Sequence, residues 1–145
     1  MNYKHTQTGY LIIFALVAVI LLFGKILTQT GFTPVILATM IFILFLLVSF
    51  ISLTVMIDKN YLRIRFGYGI FTKRFKLKEI SSARIVKNHW YYGWGIRIWF
   101  WPYMVIYNIS GFDAVEIKMK NNKTYRIGTD EPKNLESAII QAIKK

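Results

Sequence analysis

No charged side chain occurs between Lys25 and Asp58, and that gap constrains the chain more than any other feature of it. Its longest apolar run, Pro34–Ser52 (PVILATMIFILFLLVSFIS), has 19 residues. At about 1.5 Å per residue this run covers the roughly 30 Å of a bilayer's hydrocarbon. The preceding run, Tyr10–Leu27, has 18 residues and a single charge, Lys25, near its end. There the long stem lets the ammonium snorkel to the headgroups. Both runs are expected to span. Lys4 ahead of an apolar core also fits a secretory leader, but no small-residue cleavage site follows and a second apolar run comes at once.

The runs are joined by Thr28–Thr33 (TQTGFT), with Pro34 placed to open a helix. So short a connection predicts an antiparallel hairpin whose outer ends emerge on one side. Lys4 precedes the first run, and Lys59, Arg63, Arg65, Lys73 and Arg74 follow the second closely. The positive-inside rule then predicts a multi-pass protein of the cytoplasmic membrane with both termini in the cytoplasm. The lipid bilayer is its first partner.

From Asp58 onward there are 17 basic and seven acidic residues, a net charge of +10, whereas residues 1–57 carry +2. Two regions with different solvents follow from that asymmetry: a helical hairpin over 1–52 and a basic domain over 53–145. Cysteine is absent, which removes disulfides and thiolate chemistry.

Past Ser52 the hydrophobic period changes to two, the mark of β-strands. Leu53–Ile57 and Tyr61–Phe66 flank the turn sequence Asp58-Lys59-Asn60. Within the second run Leu62, Ile64 and Phe66 alternate with Tyr61, Arg63 and Arg65. Gly67-Tyr68-Gly69 turns the chain into Ile70–Leu77, where Phe71, Lys73 and Phe75 oppose Thr72, Arg74 and Lys76. Ala83–Lys87, Ile96–Phe100 and Tyr103–Tyr107 are further candidates. Ala114–Met119 and Thr124–Ile127 form a hairpin around Asn121-Asn122, which tolerate positive φ. Thr129 or Asp130 can cap a helix that has Pro132 in its first turn and runs to about Ile143. Leu135, Ala138, Ile139 and Ala142 form its apolar stripe. The pattern predicts a small antiparallel β-barrel or sandwich of about seven strands with a C-terminal capping helix.

An apolar pair followed by Gly93-Trp94-Gly95-Ile96-Arg97, Asn108-Ile109-Ser110-Gly111-Phe112-Asp113-Ala114-Val115-Glu116 and Arg126-Ile127-Gly128-Thr129-Asp130-Glu131-Pro132 resembles small bacterial membrane proteins with a pleckstrin-homology-like (PH-like) domain. The resemblance covers nearly the whole chain. It implies a PH-like barrel of seven strands and a C-terminal helix, and no particular activity.

Two surfaces are candidate sites. Lys59, Arg63, Arg65, Lys73 and Arg74 form a basic patch suited to anionic lipid, each cation near a membrane surface contributing about 1 kcal/mol. The competing reading is solvated charge. All four tryptophans, Trp90, Trp94, Trp99 and Trp101, fall in an aromatic segment ending at Tyr107. Its rings suit either the headgroup layer or the core of the β-domain. Aromatic and basic residues together also serve nucleic-acid binding, which membrane tethering disfavours.

No sequence signature of catalysis is present. His5 and His89 lack triad or metal-site neighbours, and Asp113 and Glu116 are three apart on a strand and point to opposite faces. A phosphate-binding loop, a dinucleotide fingerprint and a His-Glu-x-x-His motif are all missing. The expectation is a non-enzymatic binding or scaffolding module without cofactor, metal or small-molecule substrate. Its partner would be a membrane protein or a second copy of itself. A lipid-surface sensor and an accessory subunit of a transport or stress-resistance complex are the alternatives.

Overall fold

A computed structural model describes residues 3–101 and 103–145. Among them the helices are α1 (Tyr10–Thr30), α2 (Pro34–Ser49) and α3 (Pro132–Ile143). The strands are β1 (Tyr3–Thr8), β2 (Ser52–Ile57), β3 (Tyr61–Phe66), β4 (Phe71–Lys76), β5 (Ile80–Lys87), β6 (Gly95–Phe100), β7 (Tyr103–Asn108), β8 (Asp113–Met119) and β9 (Thr124–Gly128).

α1 outruns its expected end. The hydroxyls of Thr28 and Thr30 donate to the carbonyls of Lys25 and Ile26 at 2.7 and 2.8 Å, so these polar residues satisfy themselves within the helix. With 21 residues α1 is long and apolar enough to cross a membrane, and none of its residues is buried. α2 is equally apolar but has only 16 residues, about 24 Å of helix, and only Ser49 is buried. The expected second span, Pro34–Ser52, is therefore corrected: the helix stops at Ser49 and Ser52 already belongs to β2. The stop has a cause. The Ile51 carbonyl accepts the Gly9 amide at 2.8 Å, and Phe50 lies against Phe66 and stacks on Phe71 at 5.0 Å, 18° between planes.

Sheet A is antiparallel in the order β1-β2-β3-β4. Its first strand lies ahead of α1, so the helical hairpin is inserted between two neighbouring strands, with Thr8 opposite Ser52 and Tyr3 opposite Ile57. Sheet B has the order β5-β8-β9-β7-β6. Here an all-antiparallel expectation fails, because β7 pairs with β9 in parallel through Val105–Tyr125, Ile106–Arg126 and Tyr107–Ile127. Among the described residues no ladder joins the sheets, so the fold is an open two-sheet sandwich and not a closed barrel.

The sandwich core comes from period two on both sides. Leu53, Val55 and Ile57 of β2 and Leu62, Ile64 and Phe66 of β3 meet Val115, Ile117, Met119 and Ile127 of sheet B. From α3, Leu135 and Ile139 complete the cluster, both fully buried. The turns follow their sequences: Asn122 takes φ 68°, and Asp58 Oδ1 accepts the amides of Asn60 and Tyr61. Those two amides hold the Asp58 carboxyl below its usual range, with a smaller part from Arg63. Ahead of α3, Thr129 Oγ1 accepts the Glu131 amide, a turn bond in place of the expected helix cap.

Gly67 is the tightest joint between helix and sheet. It has φ 47°, and a Cβ there would stand 2.6 Å from the Ser49 carbonyl oxygen at the end of α2. Gly67→Ala is expected to destabilise the domain by about 1–3 kcal/mol, read as a lowered denaturant midpoint of the full chain in detergent. Burial pushes the Tyr107 phenol up to about 12. Above the ordinary value of about 10 the unfolded chain loses this proton while the folded chain keeps it. Stability is then expected to fall with rising pH across about pH 10–12, by up to about 1.4 kcal/mol per unit. Denaturant midpoints measured across that range test this, and Tyr107→Phe should reduce the slope, leaving the part that Tyr3 contributes, its phenol also raised to about 12 by burial and Glu131.

Candidate functional site

The side-chain contacts along β1 fix how sheet B lies relative to the helices. The Tyr3 hydroxyl donates to Glu131 Oε2 at 3.5 Å, His5 Nε2 pairs with Asp130 and its Nδ1 lies 3.4 Å from Glu131, and Gln7 Nε2 donates to the Ser110 carbonyl at 3.2 Å. Asp130 and Glu131 follow β9, and Ser110 follows β7. Moving along β1 toward α1 thus means moving across sheet B from β9 to β7. The next strand in that order is β6. On the other side of the sandwich the same progression holds: Phe75 of β4 packs edge-on to Tyr125 of β9 at 4.7 Å, while Phe71, nearer the helices, shares a cleft with Ile96 of β6. β6 is therefore the edge strand of sheet B closest to the helix exit.

The aromatic segment is divided by this arrangement. Trp99 packs against Tyr92 and Met104 on the outer face of sheet B, and its Nε1 donates to the Trp101 carbonyl at 2.8 Å. Trp94 is half-buried beside Phe112. Trp101 and Trp90 stand out in solvent, 90% and 75% exposed. Phe100, Ile98 and Tyr103 are exposed with them, so the β6–β7 tip carries a projecting apolar group. Trp99 is thus packed into a small cluster outside the sandwich core, while Trp90 and Trp101 lie at the surface.

Of the five basic residues singled out by the sequence, three share a face. Arg63 and Arg74 are cross-strand partners on the outer side of sheet A and flank the Tyr61 ring at 5.8 and 6.0 Å. Arg65 lies one row closer to the helices, opposite Thr54 and Thr72. Arg63 is partly neutralised by Asp58 at 2.9 Å, while among the described residues no carboxylate pairs with Arg65 or Arg74. Lys73 belongs to the opposite side, opposite Ile64, with its ammonium 5.8 Å from the Phe75 ring centre. Lys59 is in the β2–β3 turn, at the end of sheet A far from the helices. It borders a groove of about 610 Å³ between that end and α3, floored by Ile57, Leu77, Ala138 and Ala142 and edged by Lys59 and Lys145. Sequence reasoning missed this groove, because its walls are about 80 residues apart in the chain and no local pattern joins them.

The outer face of sheet B carries a partly buried ion-pair chain. Glu116 Oε2 accepts Arg126 Nε at 2.9 Å and its Oε1 meets Arg84 at 2.7 Å, with Glu116 and Arg126 only 12% and 14% exposed. Arg126 also donates to Asn88 Oδ1 and lies 5.6 Å from the Tyr92 ring centre. This unit holds the aromatic turn Trp90–Tyr92 onto the sheet. Asp113, by contrast, is paired loosely with Lys87 at 3.9 Å. Among the described residues no cluster of three His, Asp or Glu side chains is placed to hold a metal ion.

No protein-family model matches the chain, and no curated protein matches it significantly. Glu116→Gln leaves Arg126 short of its charge partner in a nearly closed setting, and a loss of about 2–4 kcal/mol is expected. Equilibrium denaturation with tryptophan fluorescence reads it. The paired change Glu116→Gln with Arg126→Gln is expected to recover part of that loss.

Proposed function

We propose that the chain is a membrane-anchored, non-catalytic PH-like module that docks an acidic segment of another protein at the cytoplasmic face of the bilayer. In this reading α1 and α2 cross the membrane as a hairpin, α2 reaching across with help from Phe50 and from local thinning around a short helix. The positive-inside rule puts Lys4 and the basic domain in the cytoplasm. The described residues carry nine strands where about seven were expected, and it is the order of two packed sheets followed by a C-terminal helix that supports the PH-like resemblance.

The observation that carries the docking reading is the groove between α3 and the far end of sheet A. Its floor is apolar and its edge bears Lys59, Lys145 and Asp58, the last paired with Arg63, and the neighbouring cleft adds Lys76 and Lys78. Six-residue strands separate it from the helix exit, about 20 Å, so lipid does not reach it and a partner from the cytoplasm does. An acidic amphipathic segment matches both its floor and its charge. A photo-crosslinking residue at Gln141 of the full chain in cells tests the reading. Capture of a protein that is lost in Lys59→Glu with Lys145→Glu supports it. Capture of lipid or of the chain itself alone, or capture indifferent to the charge reversal, sinks it.

A second reading is favoured by Arg65, whose row stands closest to the helices: the outer face of sheet A attracts anionic headgroups. Changing Arg63, Arg65 and Arg74 to Gln is then expected to lower the share of anionic lipid co-purifying with the full chain by about twofold or more. Quantitative lipid mass spectrometry measures it.

A further inference from the structure

We infer that the β6–β7 edge is a second membrane contact, seated in the headgroup layer beside the helical hairpin, so that the domain lies against the bilayer and does not stand clear of it. The inference rests on the membrane anchoring proposed above and concerns a different surface from the docking groove.

Three observations converge on that edge. The first is position. Phe50 at the end of α2 stacks on Phe71, and Phe71 shares its cleft with Ile96, so the Ile96 end of β6 is one side chain removed from the helix exit and the edge strand runs on from there to Phe100. The contacts along β1 independently put β6 at the helix-side border of sheet B.

The second is chemistry. Ile98, Phe100 and Trp101 are 54%, 77% and 90% exposed, and Tyr68 and Ile70, in the turn whose Gly67 abuts α2, are 72% and 52% exposed. Such a cluster in water exposes apolar area for no gain to the fold. Amphipathic rings at headgroup depth gain from the apolar layer while keeping their polar edges wet. Arg97 and Lys73 flank the same edge and supply the cations an anionic surface attracts.

The third is restraint. Pairing of Thr8 with Ser52 and the Gly9–Ile51 hydrogen bond leave no flexible residues between helix and sheet. The rim then stays at one distance from the membrane, and the exposed row has a constant neighbour. Bilayer is the occupant committed to, because the rim continues the surface of an anchor whose own helices are apolar on every side. A second copy or another protein would need to reach between the domain and the lipid.

The absence of cysteine lets single spin labels report without background. Cysteines are introduced one at a time at Ile98 and Trp101, with Phe14 in α1 as the lipid control and Lys120 as the aqueous control. The full chain is placed in nanodiscs containing phosphatidylglycerol. Collision rates with oxygen and with a water-soluble nickel chelate are measured by electron paramagnetic resonance. Labels at Ile98 and Trp101 are expected to meet nickel about threefold less than the label at Lys120 and to gain oxygen, as shallow interfacial insertion requires. Two results overturn the inference: nickel access equal to that at Lys120, or shielding from both reagents, which means protein covers the edge. Should Phe14 read lipid while Ile98 and Trp101 read water, the seat falls and the anchor stands. Should Phe14 read water, the anchor itself fails. Quenching of the native tryptophans by lipids brominated near the headgroup gives a readout that needs no substitution, and its absence also overturns the inference.

Discussion

Thr8 pairs with Ser52, the Gly9 amide donates to the Ile51 carbonyl, and α1 begins at Tyr10, so the ladder of β1 and β2 runs without a break into the base of the helical hairpin. Everything else in the arrangement depends on that ladder. It forces the outer ends of α1 and α2 to within one strand spacing, about 4.8 Å apart in the hydrogen-bonding direction. Through β1 it also reaches across the sandwich, because Tyr3, His5 and Gln7 hold the ends of β9 and β7. A six-residue strand thus sets both where the helices leave the domain and how sheet B is turned beneath sheet A. Phe50 and Gly67 close the same joint from the other side, one by ring stacking on Phe71 and one by leaving no space for a side chain.

Local pattern carried much of this fold in advance. Alternation in Tyr61–Phe66 yields a strand because one face is buried and the other is not, and the structure keeps that division residue by residue; in Ala114–Met119 the inward residues are buried as expected, but Ala114 on the other face is buried as well. Leu135 and Ile139 are read as core from three- and four-residue spacing and are completely buried. Tyr3–Thr8 escaped notice because its residues are polar and short of apolar alternation. Its strand is specified by its neighbour β2, which presents open hydrogen-bonding groups along an edge, and only tertiary contact reveals that. The parallel pairing of β7 with β9 escaped for a related reason: periodicity fixes which side chains face inward and says nothing about which strand lies beside which.

The candidate surfaces show the same limit. The basic patch read from the sequence put Lys73 together with Arg63, Arg65 and Arg74, whereas Lys73 faces the other side of β4, a division that period-two alternation between Lys73 and Arg74 already carries. Alternation could not place Trp99 against Met104 while leaving Trp101 in the open, because two rings on one segment acquire different surroundings from Tyr92, which arrives from before β6. Lys59 is near the second helix in sequence, yet β2 carries it the full length of the sheet away from the helix exit. Proximity in the chain was therefore a poor guide to proximity to the helix exit: β6, more than 40 residues past α2, lies closer to it than Lys59.

That reversal separates the molecule's two kinds of surface. Aromatic and branched side chains crowd the helix-side border, which a low-dielectric boundary would reward under the proposed anchoring, and lysines gather at the distal groove, where water lets their charge be carried at little cost. A flexible tether would blur such a polarity, since each face would sample both environments. With the β1–β2 ladder as the joint, each side chain has one environment, and the sequence can be adapted to it position by position.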